Sequence, residues 1–549
     1  MDARELRSRF ILSRAQCEQM ERQEPADDEA VRAFREKTAR EFALRWAELP
    51  RTESGPDIRG LLHDEIVDFA GSDEVFRSTR FRALAARVRA AGSRRQQARN
   101  TLWSVIQHLV AVLCGLILPR EILSQYGSEV NGVFHSLSQF LSYTVLLELG
   151  IGAVIPAALY QPLAGRNMPR VSAILSSGRK VYQRIALICA GYTVLLVLLF
   201  PPLSGIDFAE KLILVLGATT FAKYMAGTPE QLLIISDQKG YVIYALATAA
   251  QIVSTIVQVA LIRAEYTLWI VKGAAGIITV VQIGLICLYA KKHSAIDRKI
   301  RYTEEPISQK WNGIAQHVAH FVLENTDIIL LTLFTTFKEV SVYSVYFLFI
   351  SGVRGLFSAV CFSMQPKLGA LKAGGDEAAL NRFFGKYERW VHLSVAAAFG
   401  LLGVIIVPFV QVYSSAVQDV NYTRPLFALL ITAAYGVQSI RDPYDKLIVA
   451  CGHFRQTQKN YIVAASLNFG ISIVAVQFWG LEGVAAGTLI AMVYQLIYMS
   501  VYITRVLLKR SGMIVLRNLL MDVVVVGALI LLLQWIRLPY ADLFRIILP

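Results

Sequence analysis

Charge is scarce in this sequence. Of its 549 residues only 17% are Asp, Glu, Lys or Arg, while 55% are hydrophobic and the mean hydropathy is +0.46. Soluble globular chains carry about a quarter of their residues as charges, so that class is excluded. Cysteine is sparse and scattered: Cys17, Cys114, Cys189, Cys287, Cys361 and Cys451 form no CxxC and no close pair. They read as small buried hydrophobes, not as a disulfide framework or a metal cluster. No Ser-His-Asp pattern, nucleotide-binding glycine loop or metal motif is legible, and no outer loop is long enough for a catalytic insert, so no enzyme is expected. Polar and apolar residues do not alternate over the ~10-residue length of a membrane strand, which excludes a barrel. The first 100 residues hold no long apolar run. A cleavable signal peptide is therefore not expected, and Trp103–Leu118 is the first segment able to anchor in a membrane.

What the chain does have is a series of apolar runs, each near the roughly 20 residues that cross a bilayer as helix. They fall at about 102–119, 133–158, 181–202, 210–235, 241–262, 267–290, 312–335, 340–364, 390–413, 425–450, 461–479 and 483–507, with a thirteenth at 517–536. Connecting-loop charge tests this count. With the N-terminus in the cytoplasm, one side collects Arg166, Arg170, Arg179 and Lys180, then Lys291 to Lys310, Lys367 to Arg389 and Arg505 to Arg517. The other side shows single cations, Arg120, Lys211, Arg263, Lys338 and Arg424. That asymmetry follows the positive-inside rule.

Residues 1–100 read as a separate cytoplasmic extension, partly helical or disordered. Val31–Leu49 has helical periodicity with Phe34, Phe42 and Trp46 on one side. From Arg77 to Arg99 the charge is wholly basic, as expected of a cytoplasmic flank. It also suits anionic lipid, worth about 1 kcal/mol per basic residue near the surface. No aromatic platform interleaves these arginines, so no nucleic acid is expected.

An internal repeat appears on shifting the chain by a little over 200 residues. Gln107-His108 recurs as Gln316-His317, Gln161-Pro162 as Gln365-Pro366, Pro229 as Pro443, and Gln238-Lys239-Gly240-Tyr241 as Gln458-Lys459-Asn460-Tyr461. Six spans separate the copies, so both have the same orientation. The expected fold is an all-α polytopic membrane protein of two six-helix lobes, related by a pseudo-two-fold axis along the membrane normal, plus a thirteenth helix. The expected divisions are 1–100, an N-lobe at 101–292, a linker at 293–310, a C-lobe at 311–510, and the last span and tail at 511–549.

Charges inside the spans are the candidate functional residues, because a charge at the bilayer centre costs at least ~2.5–3.5 kcal/mol and normally faces a partner or water. In span 7, His317, His320, Glu324 and Asp327 fall within an arc of about 80° at helical periodicity. Glu324 lies roughly 20 Å along that helix from Trp311, near mid-membrane. Two readings stay open: a cation or proton site whose carboxylates alternate between charged and neutral, or a buried ion pair with Arg354 of span 8. A zinc site from His317, His320 and Glu324 has no further ligand motif behind it. The other charges within spans are Glu148, Lys223, Glu230, Lys272, Arg441, Asp442, Asp445 and Lys446. Pro229 and Pro443 each remove a helical hydrogen bond at matching places and are expected to kink their helices.

The stretch LPREILSQYGSEVNGVFHSLSQFLSYTVLLELGIGAVIPAALYQPLA, Leu118 to Ala164, resembles the first hairpin of bacterial polysaccharide biosynthesis proteins of the oligosaccharide flippase type. Supporting matches are ENTDIILL with VYSVYFLF, IRDPYDKLIVACGHFRQTQKNYI and GLEGVAAGT at 480–488. The resemblance covers about residues 100–510. It places the chain in the multidrug/oligosaccharidyl-lipid/polysaccharide exporter superfamily, with the multidrug and toxin extrusion transporters and the lipid II flippase. Some members of the superfamily have fourteen spans where this chain stops at thirteen. The resemblance implies a monomeric carrier in the bacterial cytoplasmic membrane that turns an undecaprenyl-pyrophosphate-linked oligosaccharide outward by alternating access, feeding polysaccharide assembly proteins. It brings no cofactor beyond Na⁺ or H⁺ as a coupling ion. For such a headgroup the planar fork of arginine suits phosphate oxygens. Arg354 and Arg441 are the first expected contacts, with Lys223 and Lys272 next, although Arg441 can instead pair with Asp442 or Asp445 on its own helix. Glu324, Asp327, Glu148 and His320 are the ion-coupling candidates. The rival reading is cation-coupled efflux of small molecules, which favours an acidic, aromatic-lined cavity.

Overall fold

The computed structural model describes residues 3–23, 28–49, 58–70, 79–148, 151–164, 167–200, 205–293 and 314–536. The linker expected at 293–310 (beyond its first residue) and the tail after 536 lie outside them. So does Arg77, and the side chains of Arg80 to Arg95 and of His317 are likewise not described. Among the described residues the chain is helical throughout, and it divides into two compact units.

The first unit holds the N-terminal region. Helices α1 (Ala3–Gln23), α2 (Asp28–Glu48) and α3 (Ile58–Ala70) pack on one another. Their core is Leu6, Phe10, Cys17, Phe42, Leu62, Ile66 and Phe69, with Phe34 and Trp46 packed at its edge. Phe10 meets Phe42 and Phe69 edge-on at 5.1 and 5.5 Å, the geometry that ring quadrupoles favour. The apolar face legible at Val31–Leu49 thus has two partner helices that the sequence reading did not supply.

The second unit is the membrane body. A helix satisfies every backbone group internally, which hydrocarbon demands. Helix α4 (Thr79–Ser142) carries two spans, joined where Gly127 takes φ +78°. A short 3₁₀ turn (Tyr143–Glu148) follows, then α5 (Ile151–Ala164) and α6 (Met168–Leu199). Next come α7 (Ala209–Ala222), a π-turn (Lys223–Gly227), α8 (Thr228–Ser236), α9 (Gly240–Arg263) and α10 (Leu268–His293). The second lobe comprises α11 (Ile314–Asn325), α12 (Asp327–Phe334), α13 (Phe337–Ala373), α14 (Glu377–Tyr413), α15 (Pro425–Ala450) and α16 (Phe454–Tyr502). In α16 a second hairpin turns at Gly480, φ +51°. Helix α17 (Met513–Ile536) packs on α14. Among the described residues, seven continuous helices are long and apolar enough to cross a membrane, and two of them, Arg99–Glu148 and Gln456–Leu507, exceed one bilayer's length. The fold is therefore all-α and polytopic, with two lobes of six spans.

Two expectations about continuity need correction. Span 2, read as one run over 133–158, is interrupted by the 3₁₀ turn at Tyr143–Glu148. Span 7 breaks at Thr326, between α11 and α12. The two prolines also differ. Pro229 follows directly on a π-turn, a real interruption, whereas Pro443 lies inside an α15 that runs unbroken from Pro425 to Ala450. A single lost hydrogen bond is absorbed there without leaving helical geometry.

Candidate ion site and lobe seam

The break at Thr326 decides how the span-7 carboxylates are used. An unbroken helix would place Glu324 and Asp327 on one stripe; instead they enter two different surroundings. Asp327, only 3% exposed, starts α12 and accepts hydrogen bonds from Tyr343 Oη at 2.9 Å and from Thr488 Oγ1 at 2.9 and 3.0 Å. Asn468 Oδ1 lies 3.2 Å from the same threonine hydroxyl and accepts from Ser472 Oγ at 3.1 Å, while Asn468 Nδ2 donates to Leu323 O at 3.0 Å. Four oxygen-bearing groups from α12 and the two arms of α16 gather: a carboxylate, an amide carbonyl and two hydroxyls. That donor set suits a hard cation or a proton, not a soft metal.

Glu324 sits in a separate ionic cluster. Arg354 of α13 donates to it at 2.5 Å, Gln438 Nε2 of α15 at 2.5 Å, and His320 Nε2 lies at 3.6 Å. Arg354 also stands 5.6 Å from the Tyr435 ring. The ion-pair reading of Glu324 is thus the geometry found. Breaking such a pair is costly because the survivor is left desolvated. Arg354→Leu should lower stability by about 3–5 kcal/mol, with much of the loss recovered by adding Glu324→Gln. Urea-linked proteolysis in detergent checks this, and equal single and double losses would refute it.

The four cations expected to face one headgroup do not converge. Arg441 is 2% exposed in the lobe interior, donating to Gln495 Oε1 and approaching Asp442 at 3.4 Å. Asp445, expected as its i+4 partner, is held instead by Lys446 at 2.9 Å and by the Tyr461 hydroxyl. Lys272, 8% exposed, donates to Gln258 Oε1 at 3.1 Å and stands 4.1 Å from the Phe134 ring, in the other lobe. Lys223 is exposed on its π-turn, 5.9 Å from the Tyr224 ring. A buried cation that finds a dipole, ring or acid inside its own lobe avoids the cost of facing oil. Glu148 ends the 3₁₀ turn in the first lobe, and Glu230 pairs with Arg179 at 2.7 Å. Of the four cations Arg354 bonds a carboxylate candidate directly, and Arg441 lies close enough to act on the same Glu324 charge.

Sequence reasoning missed several participants. Tyr343, Asn468 and Thr488 are neutral residues in apolar helices, so a search for charge passes over them; Thr488 does close the GLEGVAAGT stretch. Arg179 and Arg510 were counted with the loops, and Glu388 stands just before the span expected at 390–413. Glu388 is in fact fully buried, accepting from Arg510 Nη2 at 2.7 Å and from Tyr444 Oη at 2.7 Å. Tyr444 also meets His392 Nε2 at 3.0 Å, and His392 Nδ1 meets Asp522 of α17 at 2.6 Å. This buried polar chain fastens the thirteenth helix to the C-lobe.

A polar seam joins the lobes. Along one face of α4, Ser128 bonds Asp419 Oδ1 at 2.5 Å and Tyr422 Oη at 2.8 Å, and Asn131 donates to Ser341 Oγ at 2.8 Å. Ser136 Oγ meets Thr332 Oγ1 at 2.7 Å, and Gln139 Nε2 donates to Asn325 Oδ1 at 2.9 Å. Gly132 permits this approach, since a Cβ there would stand 1.8 Å from Phe337 O. From Ser128 to Gln139 the helix rises about 16 Å, roughly half a bilayer core. The seam reaches Asn325, next in sequence to Glu324, where span 7 breaks.

No family model and no curated protein matches the chain. Among solved structures, the lipid II flippase MurJ in an inward closed conformation aligns at TM-score 0.58 and 14% identity, over 80% of this chain and 100% of that one. A Vibrio cholerae MATE transporter, VcmN, aligns at 0.53 and 13% identity over 77% and 99%. An inward-facing multidrug resistance MATE family transporter aligns at 0.52 and 14% over 74% and 95%. At these identities the likeness is one of fold.

Proposed function

We propose that this protein is a flippase that carries a polyprenyl-pyrophosphate-linked oligosaccharide across the bacterial cytoplasmic membrane by alternating access. The observation that carries the reading is the lobe seam: two lobes joined by hydrogen bonds, neutral except at Asp419, over about half the membrane and reaching the ionisable centre. Neutral side-chain hydrogen bonds are worth about 0.5–1.5 kcal/mol each, a scale suited to reversible opening. Positive-inside charge assigns the N-terminus to the cytoplasm and the seam to the outer half. The likeness to a lipid II flippase and the hairpin at Leu118–Ala164 favour a lipid-linked substrate over a soluble one.

In this mechanism Arg354 meets the headgroup pyrophosphate in exchange for Glu324, and Lys223 is a second contact. Arg441 and Lys272 brace their lobes. Asp327, with Thr488, Asn468 and Ser472, holds Na⁺ or H⁺. The polyprenyl tail stays in lipid while the headgroup crosses between the lobes. Proteoliposomes holding a fluorescent polyprenyl-pyrophosphate glycan test this. Protein-dependent loss of outer-leaflet protection is expected. Efflux of a soluble organic cation, without any glycolipid movement, would favour the multidrug alternative.

A further inference from the structure

A pocket of about 140 Å³ in the first lobe, apart from both C-lobe clusters, is lined by Gln107, Gln251, Gln282, Ser254 and Thr279 with small alanines between them. Gln107 comes from the first span of α4, Gln251 from the middle of the 24-residue α9, and Gln282 from the middle of the 26-residue α10. These helices are otherwise strongly apolar, and no lining residue carries a charge. The other polar groups are spoken for: Thr279 Oγ1 donates to Ala275 O at 3.0 Å, and Ser254 Oγ accepts from Gln258 Nε2 at 2.9 Å. Among the described residues, none of the three glutamine amides is hydrogen-bonded to the protein.

Each primary amide offers two donors and one acceptor. Hydrocarbon supplies no partners, so an unsatisfied amide there is costly. Three of them converging from separate helices point to a polar ligand. With no charge in the lining, the site has nothing to neutralise an anion or a cation; mixed donors and acceptors match hydroxyl groups, which are both. Cavities of about 150 Å³ accept a six-membered ring, so one sugar ring is of the right scale.

We infer that the groove formed by Gln107, Gln251 and Gln282 binds a neutral sugar ring of the lipid-linked glycan while the pyrophosphate is held elsewhere. The inference rests on the proposed flippase reading and deepens it, because it gives the glycan an uncharged groove of its own, distinct from the cations proposed for the pyrophosphate. A substrate that bridges both lobes would then register its glycan and its pyrophosphate separately.

The test is binding of two probes to the full-length protein in nanodiscs: a polyprenyl pyrophosphate bearing a neutral trisaccharide, and the same lipid without sugar. Wild-type protein should prefer the glycosylated probe. Gln107→Leu/Gln251→Leu/Gln282→Leu should abolish that preference, weakening the glycosylated probe on the order of tenfold or more while the sugar-free probe binds as before. Gln251→Trp, which fills the groove and leaves the other two amides in place, should do the same. If both variants keep the wild-type preference, the groove does not bind the glycan and the inference fails alone. If wild-type protein binds neither probe, the flippase reading fails and the inference goes with it.

Discussion

Replacing Asp327 with Asn should uncouple transport from the ion gradient and slow it on the order of 10- to 100-fold, with little loss of folded protein. Asn keeps the size of the side chain and can still accept from the hydroxyls of Tyr343 and Thr488, 2.9 Å away. What it loses is the negative charge that would hold a cation or take up a proton. A hydrogen bond to a charged group is worth about 1.5–3 kcal/mol against roughly 1 for a neutral pair, and each 1.36 kcal/mol is tenfold in rate. Flipping measured in vesicles with imposed Na⁺ and pH gradients checks this. Unchanged rate and unchanged gradient dependence would remove Asp327 from the coupling site. Glu324→Gln should behave differently, because it strands Arg354 and so costs stability before it costs coupling.

The second large effect concerns the seam. Ser136 and Thr332 carry their hydroxyl oxygens at the γ position, 2.7 Å apart across the lobes. Cysteine places its sulfur at that same position, so Ser136→Cys with Thr332→Cys should bring two sulfurs within reach of a bond of about 2.05 Å. Oxidation should lock that half closed and reduce transport to the protein-free background; a reductant should restore it. Either single cysteine should retain activity. Transport that persists in the oxidised, mass-confirmed crosslinked protein would show that the seam need not open.

These expectations also mark what sequence could and could not disclose. Apolar runs were enough for the all-helical, polytopic fold class, since hydrocarbon permits little besides helix. The break at Thr326 was not legible: Phe321–Phe334 has no glycine or proline to announce it, and a uniform 100° per residue placed Glu324 and Asp327 together. Pairing partners were legible only when charged. Arg354 could be matched to Glu324 by depth, but Thr488 and Asn468 could not, because uncharged polar residues in a membrane helix give no long-range signal. Lys272 and Arg441 misled for a related reason: sequence shows that a span contains a cation, but not whether its own lobe satisfies it with Gln258 or Gln495. The bundle around Phe10 escaped because its core residues, Leu6, Phe10 and Cys17 in α1 and Leu62, Ile66 and Phe69 in α3, stand singly among many charged residues and form no long apolar run.

Spin-label distances test the central claim, that two lobes open alternately at opposite ends. One pair would sit at Glu129 and Gln418 on the seam end, the other at Tyr160 and Asp376 at the far end, all exposed positions. The account predicts two populations at each pair, shifting in opposite senses when lipid-linked glycan or the coupling ion is added. A single distance at both pairs, unmoved by either, would contradict it.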